Sequence, residues 1–141
     1  MKVSKILQGK GSKVYSVTGQ VSVYEAIKSM GEKNIGAILV MEEEMLNGIL
    51  SERDYARKIV LKGKSSRETL VKEIMTENVL TVTGEDAIDK CMAIMTEKHI
   101  RHLPVMENDK VIGMISIGDV VNAIIESQKE TIAHLQNYIS Q

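Results

Sequence analysis

Gly48-Ile49-Leu50-Ser51-Glu52-Arg53-Asp54 and Gly113-Met114-Ile115-Ser116-Ile117-Gly118-Asp119 are two versions of one phrase, an apolar run closed by a serine with an aspartate three residues on. The match spreads outward from them without a gap, so that Val14 to Val60 lies over Val79 to Ile125 at a constant offset. Val14, Val17, Thr18 and Gly19 recur as Val79, Val82, Thr83 and Gly84, and Met30, Glu32, Lys33 and Ile35 as Met95, Glu97, Lys98 and Ile100. A period this long encodes a whole supersecondary unit that cannot bury its apolar face alone. Two such units are expected to pack on one another, with equivalent residues on both sides of a shared cleft, and the function is to be sought there.

Each copy reads as β-α-β-β-α. Short β-type runs, Val14 to Val17 and Val79 to Val82, close in Thr-Gly. Val23, Ala26, Ile27 and Met30 recur at helical spacing, as do Ile88, Met92 and Met95. Strand pairs follow over 37–41 and 46–50 and over 103–106 and 111–115, with Gly48 and Gly113 where a bulge or a close backbone approach is expected. A second helix ends each copy, from Glu52 to about Leu61 and from Ile117 to about Ser127. The fold class is therefore α/β of the α+β type, one domain over 1–141 made of two pseudo-symmetric repeats at about 9–62 and 74–127. A short N-terminal segment precedes them, and a C-terminal helix over about 128–140 follows. Lys62 to Ser66 reads as a polar linker and Glu68 to Met75 as a short helix. Val121, Ile125, Gln128, Ile132, Leu135 and Ile139 alternate spacings of four and three, the seam of a packed helix whose partner is either the repeat pair itself or another subunit.

Composition narrows the function. A formal charge of -1 and a pI near 6.3 lack the basic field that phosphate backbones require, which makes nucleic acid an unlikely partner. The single cysteine, Cys91, rules out an internal disulfide and suits a reducing compartment. The longest apolar run, Ile35 to Met41, is strand-sized, so no membrane span is expected and the chain reads as cytoplasmic. With nine Met and neither Phe nor Trp the core is aliphatic, and only Tyr15, Tyr24, Tyr55 and Tyr138 could stack on a base.

The repeated phrase has two readings. Ser followed by an acid three residues later is a capping-box pattern, in which Ser51 or Ser116 caps a helix and the carboxylate lies over its first turn. The same strand-to-helix junction also presents unpaired N–H groups that attract phosphate. A carboxylate repels phosphate, so Asp54 and Asp119 would face hydroxyl donors, as acids do on ribose diols. The cations Arg53, Arg101 and His102 are the candidates for the anion. Arg101 and His102 stand at the entrance to a strand that carries Pro104, the only proline, which marks an edge or irregular position with relaxed ladder bonding.

The tandem G-x-x-S-x-x-D phrases, Ile100-Arg101-His102-Leu103-Pro104-Val105 and the β-α-β-β-α repeats resemble a CBS-domain pair, the module named after cystathionine β-synthase, over nearly the whole chain. Ser51 to Lys58 and Ser116 to Val121 resemble the small stand-alone bacterial CBS-pair proteins that carry no catalytic domain. The resemblance implies adenosine ligands such as AMP, ATP or NAD(H), bound in clefts between the repeats, with the motif aspartates on ribose and the motif serines near ribose or phosphate. It also implies pockets built across repeats. One would join Ser116 and Asp119 with Lys13, Val14, Tyr15 and Ala37, with Arg101 and His102 approaching the phosphates. Its mirror would join Ser51, Arg53 and Asp54 with Thr76, Asn78 and Val79. Gly36-Ala37 replaces the Arg101-His102 pair and Gly118 replaces Arg53, so the two clefts offer unequal cationic charge.

No catalytic constellation is apparent. Repeat symmetry explains the paired aspartates, no nucleophile has an evident base, and His99 with Cys91 is too few ligands for a metal. Gly9-Lys10-Gly11-Ser12-Lys13 lacks the spacing of a P-loop. The expectation is a non-enzymatic, adenine-nucleotide-binding sensor of energy or redox state, without catalytic cofactor or metal. AMP is its first ligand, with NAD(H) or ATP close behind, and it acts as a homodimer on an unidentified regulated protein. The alternative is a protein-interaction module whose nucleotide clefts are vestigial.

Overall fold

The computed structural model describes residues 1–140; Gln141, which closes the expected domain span, lies outside the described residues. The chain runs α1 (Val3–Lys10), β1 (Ser16–Val17), α2 (Val23–Lys33), β2 (Ala37–Glu42), β3 (Met45–Ser51) and α3 (Glu52–Tyr55), the last continued by a π-helical turn (Ala56–Val60). It goes on through α4 (Val71–Ile74), β4 (Val82–Thr83), α5 (Ile88–Lys98), β5 (His102–Glu107), β6 (Lys110–Ser116) and α6 (Ile117–Ser140). Two three-stranded sheets result, ordered β1-β2-β3 and β4-β5-β6, with β1 parallel to β2, β2 antiparallel to β3, and β4 parallel to β5. The mixed α/β class and the duplicated β-α-β-β-α unit agree with the sequence.

The chain divides into two compact units. The repeat-one unit holds Val14–Leu80 and Asp109–Val111. Its core gathers Val23, Ala26 and Met30 from α2, Ile38 and Val40 from β2, and Leu50, Ile59, Val71 and Ile74. α2 begins at Ser22, whose hydroxyl accepts the Glu25 N–H at 3.1 Å, and ends on Asn34 in the left-handed conformation at φ 55°. β2 is buried continuously from Ala37 to Val40 because both its faces are covered, so it shows no alternation. Val40 pairs with Gly48 and Met41 with Leu46, leaving Asn47 as the extra residue of a bulge. Gly48 also meets the end of α4: a Cβ there would lie 2.7 Å from the Met75 sulfur and 2.9 Å from the Thr76 carbonyl oxygen.

The repeat-two unit holds Met1–Lys13, Thr81–Asn108 and the chain from Ile112 onward. Its core joins Ile88, Cys91 and Met95 of α5 with Val3, Val82, Leu103, Val105, Ile115 and Val120. α5 ends on His99, again at φ 55°. The N-terminal segment, expected only as a short lead-in, is a helix. Val3 is fully buried, the Val3 and Ser4 N–H groups donate to the Asp86 and Gly84 carbonyls at 2.9 Å each, and Leu7 lies against Gly113. α1 thus precedes repeat one in sequence but completes the unit of repeat two, just as α4 precedes repeat two and completes that of repeat one.

Two expectations need correction, and the two places read for Pro104 narrow to one. The second helix of repeat one is not regular α: Leu61 N–H reaches back to the Ala56 carbonyl at 3.0 Å, a five-residue step. The helix expected to end near Ser127 continues to Ser140, since no glycine or proline after Gly118 interrupts it. Pro104 is not on an edge strand, because β5 is the middle strand. Its counterpart Leu39 donates its N–H to Tyr15 at 3.3 Å, whereas β4 pairs with β5 only at Val105 and Met106; the proline sits where that one ladder bond is dispensable.

The two close glycines differ in what would have to yield. Gly48→Ala presses on a backbone oxygen, whereas the Cβ of Gly113→Ala would meet Leu7 methyls at 2.7 and 3.0 Å, and these can rotate away. Gly48→Ala should therefore destabilise by about 1–3 kcal/mol and Gly113→Ala by clearly less. Urea melts of the two variants check the order.

Candidate functional site

In the repeat-two unit β6 delivers Ser116 directly to the start of α6. Ile117 N–H is taken by the Arg101 carbonyl at 2.8 Å, and the Asp119 N–H by the Ser116 hydroxyl at 3.2 Å. In return the Ser116 N–H donates to Asp119 Oδ2 at 2.8 Å, completing a reciprocal cap. The same oxygen accepts from Lys10 Nζ at 2.6 Å, and Lys10 also donates to the Met114 carbonyl at 2.8 Å. Burial alone would raise the Asp119 pKa, but the bonds from Lys10 and Ser116 outweigh it and hold the carboxyl below its ordinary value. Asp119 is thus an ionised acceptor with 24% of its side chain in solvent.

His102 opens β5 half-buried, beside exposed Arg101. Burial lowers its pKa, and the charges of Lys10 and Arg101 lower it further against the opposing pull of Asp119. The imidazole is therefore neutral at pH 7, and any contribution to anion binding is that of an N–H donor. The cations that act on this imidazole are Lys10 and Arg101.

The repeat-one unit builds the same junction with other parts. Ser51 caps α3, its hydroxyl accepting the Asp54 N–H at 3.1 Å and its own N–H donating to Asp54 Oδ2 at 3.0 Å. Glu52 N–H is taken by the Gly36 carbonyl at 3.0 Å, the equivalent of the Ile117–Arg101 bond. Asp54 Oδ1 receives Lys58 Nζ at 3.2 Å and the Thr76 hydroxyl at 3.4 Å, and Lys58 also donates to the Ile74 carbonyl at 2.8 Å. Ser51, Asp54 and Thr76 are therefore joined by hydrogen bonds. Arg53 lies half-buried in α3, while Asn78 is exposed and Val79 half-buried in the same unit. Of the other group, Lys13 is exposed in the repeat-two unit; Val14, Tyr15 and buried Ala37 belong to the repeat-one unit. Lys33 Nζ stands 4.9 Å from the centre of the Tyr15 ring.

Two lysines that pair with the motif aspartates escaped the sequence reading. Lys58 follows Asp54 by four residues on one helix, a spacing that could have flagged it. Lys10 gave no such sign, being 109 residues from Asp119. At the repeat offset Lys10 corresponds to Met75 and Lys58 to Ala123, so each copy neutralises its aspartate from a different place. A hollow of about 460 Å³ in the repeat-one unit, lined by Ile27, Met30, Gly36, Glu52 and Tyr55 among others, contains none of the expected ligand residues. Among the described residues no three His, Cys, Asp or Glu side chains gather as a metal set, and no helix is long and apolar enough to cross a membrane.

The pattern of the CBS domain matches residues 11–61 and again 71–126, together more than half of the chain. The chain belongs to the CBS domain family. It is 41% identical over 146 residues to the CBS domain-containing protein CBSX3, mitochondrial, of Arabidopsis thaliana, covering 97% of this chain and 71% of that one. Among solved structures, a protein with CBS domains from Burkholderia ambifaria MC40-6 superposes with a TM-score of 0.87 at 49% identity, over 91% of this chain and 96% of the other. The CBS domain pair of protein MJ0100, solved with 5'-methylthioadenosine and S-adenosyl-L-methionine, gives a TM-score of 0.78 at 25% identity, over 88% and 99% of the two chains.

The depressed pKa values fix the response to acid. Unfolded His102 takes a proton near 6.5 and the folded residue only at lower pH, so its contribution is complete above about pH 6.5 and declines as pH falls below that. Asp119 likewise contributes fully above its ordinary value of 3.8 and loses that contribution as pH falls through its lower folded value. Melting temperatures recorded from about pH 7.5 to about pH 5 should fall less for His102→Asn than for the parent chain, and Asp119→Asn should flatten the further loss below about pH 4.

Proposed function

We propose that the chain is a non-catalytic sensor of adenosine nucleotides that grips the ribose of its ligand with Asp119 and Asp54, assisted by Ser116 and Ser51. The carrying observation is the ionised Asp119, fixed at a helix start beside Lys10 and Arg101, with Asp54 held in the equivalent cap of the other repeat. The adenosine moiety shared by the two molecules bound to MJ0100 supports the same ligand class. AMP is the first ligand, with NAD(H) or ATP next. In this reading Arg101, Lys10 and Arg53 serve the phosphates, with His102 as a neutral donor. Lys13, Val14, Tyr15 and Ala37 are assigned to one adenine, and Thr76, Asn78 and Val79 to the other.

Regulation then follows from binding. A ligand shifts a partner only by its different affinity for two states of the complex, so the sensor acts on a separate protein and turns nothing over. A second reading has its own support: Lys10 and Lys58 already neutralise both aspartates, which suits an interaction module whose clefts have closed on their own lysines. The cytoplasmic setting rests on the buried free thiol of Cys91 and not on the family, since the Arabidopsis relative is mitochondrial.

Calorimetry separates the two readings. Asp119→Ala and Asp54→Ala should weaken AMP or NAD binding by roughly ten- to a hundredfold, the loss of a hydrogen bond to a charged group. Losses under about threefold, or no binding by the parent chain, would favour the interaction module. Arg101→Gln and Arg53→Gln should weaken AMP more than adenosine, because only AMP carries the anion; equal losses would signal a folding defect.

Ligand at about a hundred times its dissociation constant should add about 2.7 kcal/mol to folding stability and raise the melting temperature by several degrees. AMP, ATP and NAD should remain chemically intact on prolonged incubation. Hydrolysis that disappears in Asp119→Ala would overturn the non-catalytic reading.

A further inference from the structure

α6 is unbroken from Ile117 to Ser140, and Val120, Ala123 and Ile124 of its first half pack into the repeat-two core. A neighbouring stripe does not. Ile125 is 43% exposed, Ile132 55%, Leu135 58% and Ile139 80%, so the intramolecular docking considered from the sequence does not cover it among the described residues.

With Ile125, Ile132 and Ile139 at heptad position a, Val121, Gln128 and Leu135 fall at position d. Ile at every a position, with Leu135 at one d, follows the pattern of two parallel strands. We propose that α6 pairs with α6 of a second copy of this chain as a parallel, in-register two-stranded coiled coil.

Gln128 argues for the register. In a parallel, in-register pair it meets Gln128 of the second copy, where each amide can donate to the other. In the antiparallel pairing that matches Ile125 with Leu135, the same amide is buried against Ile132 and left unsatisfied. A single polar residue in a seam is a known device for fixing register. Charge points the same way. No a or d position is charged, and Lys129 is the only charge at a flanking e or g position. Parallel pairing sets Lys129 beside Ile124 of the second copy, already half-buried on its own core, and Thr131 beside Gln136. No like charges meet. Glu126 and Lys129 satisfy each other along the helix at 3.6 Å.

The pairing does not depend on the nucleotide reading and is tested separately. The full-length chain should be dimeric by sedimentation, and Ile132→Lys with Leu135→Lys should weaken self-association by about a hundredfold or more while helix content by circular dichroism is retained. Cys91 is buried, so an added thiol is the only one accessible. Gln128→Cys, which places two cysteines face to face, should form a covalent dimer under mild oxidant, and Glu130→Cys, on the outer face, should not. A monomer at every concentration overturns the proposal. So does a dimer in which Gln128→Cys stays uncrosslinked, or in which Gln128→Cys crosslinks better to an Ile132→Cys chain, the antiparallel outcome. If the double lysine variant does not fold, the crosslinking pattern alone decides.

Discussion

In each repeat a strand must become a helix across a single residue, and the first N–H groups of that helix have no partner within it. The reciprocal cap of serine and aspartate meets this need, with Asp54 and Asp119 each accepting the N–H of the serine that caps them. The groups read as ribose ligands are therefore also the groups that let the strand stop. A carboxylate that turns to meet a ligand gives up its bond from the serine N–H, while the serine hydroxyl keeps its bond from the aspartate N–H. Alanine variants therefore mix lost affinity with the loss of this bond, which an asparagine oxygen can still accept.

The two copies share this junction and diverge around it. Asp119 is neutralised by a lysine from α1 and Asp54 by a lysine one turn farther along its own helix. A copy that draws its cation from a distant segment couples its acid to the docking of that segment. The other copy couples its acid only to local helix geometry, including the π-helical turn in which Lys58 sits. Two sites of common origin thereby answer to different parts of the fold.

The duplication could be read from its constant offset, and the order of elements, the bulge at Asn47-Gly48 and both caps from residue pattern, because each of these depends on neighbours within a few positions. The helix α1 could not, since VSKILQGK carries only a weak stripe and gains its burial from Val3 and Leu7 meeting residues far along the chain. Lys10 was hidden for the same reason. Pro104 left an edge and an irregular position open because its missing donor is a local fact, whereas the shortness of β4, which decides for the second, is a tertiary one. The neutral state of His102 likewise reflects burial and two nearby cations that adjacency in sequence does not reveal beyond Arg101.

The exchange of lead-in helices has a bearing on synthesis. Nearly all of the repeat-one unit is one continuous stretch, Val14–Leu80, so it can close as soon as that stretch has left the ribosome. α1 cannot settle until its partners appear, and Lys10 bonds to a carbonyl 104 residues later. At about 5–20 residues per second the first helix waits roughly 5–20 s with its apolar side uncovered. During that interval it is the part of the nascent chain most open to chaperones and to mispairing with another copy.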